Sequence, residues 1–157
     1  MERLPITAAG HAKLEAELKE LKNNARPKVI EAIATAREHG DLSENAEYHA
    51  AKEQQSLIEG RIAELEDKLG RSEVIDVASI TGSQIKFGAT VLVVDEDTDE
   101  ESTYQIVGED ESNIEKGLLS LKAPLARALM NKEQGDSVEV TTPGGSKAYE
   151  ILEVKYV

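Results

Sequence analysis

No cysteine occurs in this 157-residue chain. That excludes a disulfide framework, a thiolate zinc site and a thiol nucleophile, and it fits a reducing compartment. Tryptophan is also absent, and a single phenylalanine stands beside four tyrosines, so little is available to wall an aromatic substrate pocket. No stretch approaches the roughly 20 apolar residues of a membrane helix. The opening MERLPITAAGHAKLEAELKE holds no apolar run of signal-peptide length. A cytoplasmic protein with no membrane partner is expected. P-loop, His-Glu-x-x-His and Gly-x-Ser-x-Gly patterns are missing. Positive charge is scarce: 18 Lys and Arg face 31 Asp and Glu, a formal net charge of −13. Residues 1–75 hold 11 basic against 15 acidic side chains, and residues 76–157 hold 7 against 16. Bulk attraction to a nucleic acid backbone needs several cations neutralising phosphates. Any nucleic acid contact must therefore be local or arranged by a protein partner.

What is present is a change of period at mid-chain. Thr7 is a plausible helix N-cap, after which Leu14, Leu18, Leu21 and Ala25 recur at four-three-four spacing. Pro27 interrupts, and the stripe resumes at Val29, Ile33 and Ala36. A bend or register shift is expected there rather than an end, because the apolar period continues beyond it. His39-Gly40 closes this helix. A second is expected to start near Leu42 or Ser43 with a stripe of Ala46, Ala50 or Ala51, Leu57, Ile58, Ile62, Leu65 and Leu69, and to end at Gly70. So short a connection makes the two antiparallel. At 1.5 Å per residue each spans roughly 40–50 Å. The seam should narrow toward the tip at Ala32, Ala36, Ala46 and Ala50. After a linker over 71–84 the period becomes two. Strands are expected at 86–95, 102–108 and 117–121, a short helix with leading proline at 124–132, and a hairpin of 136–142 and 147–157 over Pro143-Gly144-Gly145-Ser146. The fold class is α+β. A coiled-coil hairpin over 1–75 with an acidic tip at 40–44 precedes a mostly antiparallel sheet domain with one helix over 80–157.

The tip reads HGDLSENAEYH at 39–49. Asp41 and Glu44 have the spacing of a capping box, in which an acid at a helix start accepts from the amide three residues on. They are also two carboxylates at the end of an arm. Mg²⁺ takes about six oxygens and one or two protein carboxylates, so such a pair could only complete a site that another molecule supplies. Capping and metal binding are compatible. Of the basic residues on the arm, most fit solvated helix faces with pairs such as Glu15–Lys19. Arg37, one turn before Asp41, is the candidate for an RNA or phosphate contact, and Lys52 also falls near the tip. His11, His39 and His49 are too scattered for a metal cluster. Tyr48 is either a seam residue or a stacking ring, with the seam the preferred reading.

The tip run HGDLSENAEYHAAKE at 39–53, the preceding ARPKVIEAIATARE, the opening PITAAGHAKLEAELKELK and the run PLARALMNKEQGDSVEVTTPGGSKAYEI at 124–151 resemble the bacterial Gre transcript-cleavage factors, of the GreA type. The resemblance covers essentially the whole chain. It implies a coiled coil that enters the secondary channel of bacterial RNA polymerase, and an FKBP-like C-terminal domain that docks on the channel rim. In a backtracked complex the tip acids would help the polymerase hold a second Mg²⁺ and position the water that cleaves the nascent RNA 3′ end. Carried over, Asp41 and Glu44 are those acids, with no stand-alone metal site and no cofactor held by the isolated chain. Gly40, Leu42, Ser43 and Asn45 would support the tip loop. Arg37 and Lys52 would form a basic patch near the RNA, and Leu121, Ala123, Pro124 and Leu125 are candidates for rim docking. Ala123 departs from the serine expected before the proline. On this reading the chain is a monomeric activator and not itself an enzyme. Two alternatives remain. One is a non-cleaving channel inhibitor on the same scaffold, which the intact acid pair disfavours. The other is a prolyl isomerase, for which the C-terminal half offers only Phe87, Tyr104, Tyr149 and Tyr156.

Overall fold

A computed structural model describes residues 2–40 and 44–157. The chain divides into two compact units, one built from residues 11–72 with the extreme N-terminus and the other from residues 3–10 with 73–157. The division differs from the expected 1–75 and 80–157. Residues 3–10 group with the sheet unit because strand β1, Leu4–Thr7, pairs with strand β2, Ser72–Ile75, within the stretch expected to be a linker. Four residues reading LPIT carry too little alternation to announce a strand whose partner lies some 70 positions away.

In the first unit, helix α1 (Ala8–Glu20) passes through one π-helical turn, Leu21–Ala25, into helix α2 (Arg26–Arg37). The helix does not end at Pro27, as the continuing stripe requires. The register shift takes the form of the π turn immediately before it, in keeping with a proline that offers no N–H to the preceding turn. Thr7 caps α1 as expected, its Oγ1 accepting from the Gly10 amide at 3.1 Å. Val29, Ile58 and Ile62 form the buried seam with Leu18, Leu21 and Ala25 against them. Helix α3, Ala46–Arg71, returns antiparallel. It starts later than the expected Leu42 or Ser43. Near the tip the buried small residues are Ala36 and Ala51, while Ala32, Ala46 and Ala50 are exposed. Leu57 is 69% exposed and does not belong to the seam. Ion pairs among the described residues run across the seam, Glu17–Arg61 at 2.7 Å, Arg26–Glu59 at 2.8 Å and Lys22–Glu66 at 3.4 Å. Glu15 pairs with His11 at 2.7 Å, and not with Lys19 as the spacing suggested.

The second unit is a five-stranded sheet in the order β5-β4-β3-β7-β6, where β3 is Thr90–Asp95, β4 Glu101–Val107, β5 Leu118–Ser120, β6 Ser137–Thr142 and β7 Gly145–Lys155. Only β4 and β5 run parallel. The β6–β7 hairpin closes with Thr142 opposite Gly145, and β3 meets β7 through a bulge at Leu92/Val93. Helix α4, Pro124–Leu129, has its proline in the first turn and stops short of 132. Met130 leaves the helical region and Asn131 adopts φ +67°. Strand β3 begins four residues later than expected because Gly88 takes φ +89°. Ile85, Ala89, Val91, Val93, Ile106, Ala126, Leu129 and Ile151 are fully buried in the core of this unit. No helix among the described residues is long and apolar enough to cross a membrane.

Candidate functional site at the arm tip

The last four carbonyls of a helix and its first four amides have no partner within the helix. At the tip α2 ends and α3 begins, so both sets of orphans meet. α2 closes through Glu38 and His39, whose amides reach Thr35 O at 3.1 Å and Ala36 O at 3.2 Å. Gly40 then takes φ +104°, a left-handed conformation suited to glycine after a helix end. Asp41, Leu42 and Ser43 lie outside the described residues. Glu44 is exposed and is followed by Asn45, the N-cap of α3, at φ −89° and ψ 98°. The Asn45 Oδ1 accepts from the Tyr48 amide at 3.0 Å, and its Nδ2 donates to Ala36 O at 2.6 Å. One side chain thus satisfies an orphan amide of α3 and gives Ala36 O of α2 a second donor beside the His39 amide. The helix that Asp41 and Glu44 were expected to open is capped by Asn45, one residue past Glu44. Asparagine and aspartate cap about equally well, and the Asp-x-x-Glu spacing concealed this choice.

Further contacts close the same junction. The Arg37 guanidinium lies 5.9 Å from the centroid of the Tyr48 ring, within cation–π range. Tyr48 and His49 meet edge to face at 5.5 Å. His39 Nε2 lies 3.9 Å from a Glu47 carboxylate oxygen. Tyr48, half-buried, is engaged by Arg37 and is not a free ring. His39, Glu44, Asn45, Ala46 and Glu47 line one open recess. A second groove is lined by Ile30, Ile33, Ala34, Arg37, Lys52 and Gln55, so Arg37 and Lys52 share one face. Lys52 Nζ donates to Gln55 Oε1 at 3.3 Å. Ile30, 51% exposed, adds an apolar floor that the sequence reading did not single out.

Among the described residues no group of three or more His, Asp or Glu side chains could hold a metal. Of the rim candidates, Leu121, Ala123 and Leu125 are partly buried against the sheet core, and Pro124 is exposed. Tyr104, Tyr149 and Tyr156 pack on that core as well. The Tyr156 hydroxyl accepts from the Lys86 amide at 2.9 Å and donates to Gln84 O at 2.6 Å. These rings support the sheet, and the prolyl-isomerase alternative gains nothing from them.

Electrostatics along the arm are set by its cross-helix pairs. The Arg61 guanidinium hydrogen-bonds Glu17 and holds its carboxyl below the ordinary carboxylate value, while Arg61 itself is pushed up. Arg26 does the same to Glu59.

Residues 4–74 match the family model described as transcription elongation factor, N-terminal, and residues 80–156 match transcription elongation factor, GreA/GreB, C-term. A transcription elongation factor GreA of Ruegeria pomeroyi is 65% identical over 99% of both chains, and one of Caulobacter sp. is 63% identical over the full length of both. Among solved structures, the prokaryotic transcription elongation factor GreA/GreB from Nitrosomonas europaea is 26% identical, with 98% of this chain and 100% of that one covered and a TM-score of 0.43.

Proposed function

The chain belongs to the GreA/GreB family of transcription elongation factors, and from that premise we propose that it acts on bacterial RNA polymerase as a transcript-cleavage activator. The arm enters the secondary channel, and the polymerase performs the reaction. One observation carries the reading: the acidic tip segment connects two paired helices, α1–α2 of 30 residues and α3 of 26. At 1.5 Å per residue this is an arm of roughly 40–45 Å, long enough to carry a carboxylate to a buried centre.

The chain's own residues have three tasks. Asp41 and Glu44 supply carboxylate oxygens that complete a coordination sphere begun by the polymerase. Mg²⁺ held there would supply a more acidic bound water and offset negative charge on the phosphodiester. Glu44, exposed beside the capped start of α3, would be one of the residues to hold that ion. Arg37 and Lys52, on one face of the arm, attract the phosphates of the extruded RNA 3′ end, a local contact compatible with the chain's negative charge. Hydrolysis shortens the RNA and leaves a new 3′ end from which elongation resumes. Leu121, Ala123, Pro124 and Leu125 form a docking edge on the sheet unit, with exposed Pro124 its most available member. The protein works as a monomer.

The test is a stalled, backtracked bacterial RNA polymerase with 3′-labelled transcript and Mg²⁺. Added protein is expected to release short 3′ fragments, and Asp41→Ala and Glu44→Ala are expected to bind equally well and release none. Binding without cleavage by the wild type would identify a channel inhibitor instead.

A further inference from the structure

Asn45 makes two bonds that do different work. The bond from the Tyr48 amide to Oδ1 is an ordinary N-cap, and serine or aspartate would serve it about equally well. The bond from Nδ2 to Ala36 O is not a cap of its own helix. It spans nine residues and reaches the last turn of the opposing helix. An amide side chain carries its acceptor and its donor on two separate atoms of one short stem, so it can serve both helices at once. The Ala36 side chain is 2% exposed, so its backbone is fixed by the seam. The tether therefore anchors the entry of α3 to the buried last turn of α2.

The geometry points to Asn45 as a positioning residue for cleavage, acting through its donor and not through its cap. It fixes the base from which Glu44, its immediate neighbour, presents a carboxylate. This rests on the cleavage-activator reading and deepens it. A misplacement of about 1 Å in a positioned group costs up to about a hundredfold in rate, so loss of the tether should appear in the rate and not in affinity.

The experiment compares wild type with Asn45→Ser, which keeps an N-cap oxygen but lacks the second polar atom, the Nδ2 that reaches Ala36 O, and Asn45→Ala, which has neither. Two quantities are read. One is the cleavage rate at saturating factor together with the half-saturating concentration. The other is amide hydrogen exchange in the free protein. Asn45→Ser is expected to lose about tenfold or more in saturating rate with little change in half-saturating concentration. Its amides at 38–40 should exchange faster while Tyr48 stays protected. Asn45→Ala should add faster exchange at Tyr48. A serine variant with wild-type rate, or one altered only in half-saturation, overturns the proposal. If the wild type itself stimulates no cleavage, the functional reading fails, and exchange alone then decides the tether: faster exchange at 38–40 in Asn45→Ser supports it, and unchanged exchange overturns it.

Discussion

The two units of this protein are stabilised in opposite ways. The sheet unit has a continuous core in which Ile85, Val91, Val93, Ile106, Leu129 and Ile151 are wholly out of solvent. The arm has a thin seam, Val29, Ile58 and Ile62 with a few partners, and supplements it with ion pairs across the helices. A two-helix hairpin has only one neighbour to bury against, so each helix keeps a wide polar face. Charged side chains then provide register where apolar ones cannot. The seam also thins to Ala36 and Ala51 near the tip.

The sharpest way to break this contrast is core truncation. Ile106→Ala in the sheet unit should cost about 4 kcal/mol, near the top of the usual range for such a deletion. Ile62→Ala in the arm should cost about 2–3 kcal/mol, because a hairpin can collapse around the cavity. Urea unfolding, followed with exchange probes in each unit, checks both the size and the location of the loss.

A second test concerns the root of α1, where the sheet unit holds the helix start. The Glu111 carboxylate accepts from the Thr7 amide at 3.1 Å and from Gly108 N at 2.9 Å, with the Thr7 hydroxyl donating to its other oxygen. A Cβ on Gly10 would collide with Glu111 Oε1. Gly10→Ala should therefore destabilise the protein by about 1–2 kcal/mol, although alanine favours a helix. In a Glu111→Ala background the same change should be neutral or stabilising. A double-mutant cycle in chemical denaturation reads the difference.

The smallest effects are in the ion pairs. Arg61→Ala should cost at most about 1 kcal/mol, because both partners are more than a third exposed. The loss should shrink further in high salt. The pH dependence has a definite sign. Glu17 and Glu59 have their carboxyls lowered in the folded state. Their contribution is fully present above the ordinary carboxylate value of 4.5 and is lost as pH falls through the lowered one. Acidification below about pH 4 should loosen α1 and α3, seen as faster exchange in the arm and a falling helix signal.

How far the sequence revealed this depends on the range of each determinant. The heptad-like stripe is local, so the helices, their antiparallel return and the continuation past Pro27 could all be read from it. The π turn itself could not, since spacing shows a shift of register but not the hydrogen-bond pattern that absorbs it. β1 was invisible because its partner lies far along the chain. At the tip, Asn45 caps α3 and also reaches Ala36 O, a cross-helix role that local spacing does not reveal, while the Asp41 half of the expected capping box lies outside the described residues. The places of Arg37 and Lys52 near the tip are legible from spacing, and their shared groove appears only in three dimensions. The cross-helix pairs were hidden for the same reason, as i,i+4 spacing is legible and pairing across a seam is not.

The central claim is that the tip acids serve chemistry in the polymerase and not the fold of the arm. The most direct measurement is fragment release from a backtracked complex by wild type, Asp41→Ala and Glu44→Ala, with polymerase binding and melting temperature recorded for each. Rapid release by the wild type, lost in both variants while binding and melting stay unchanged, is the predicted result. Variants that cleave as well as the wild type, or that lose cleavage only because they no longer bind or fold, would contradict it.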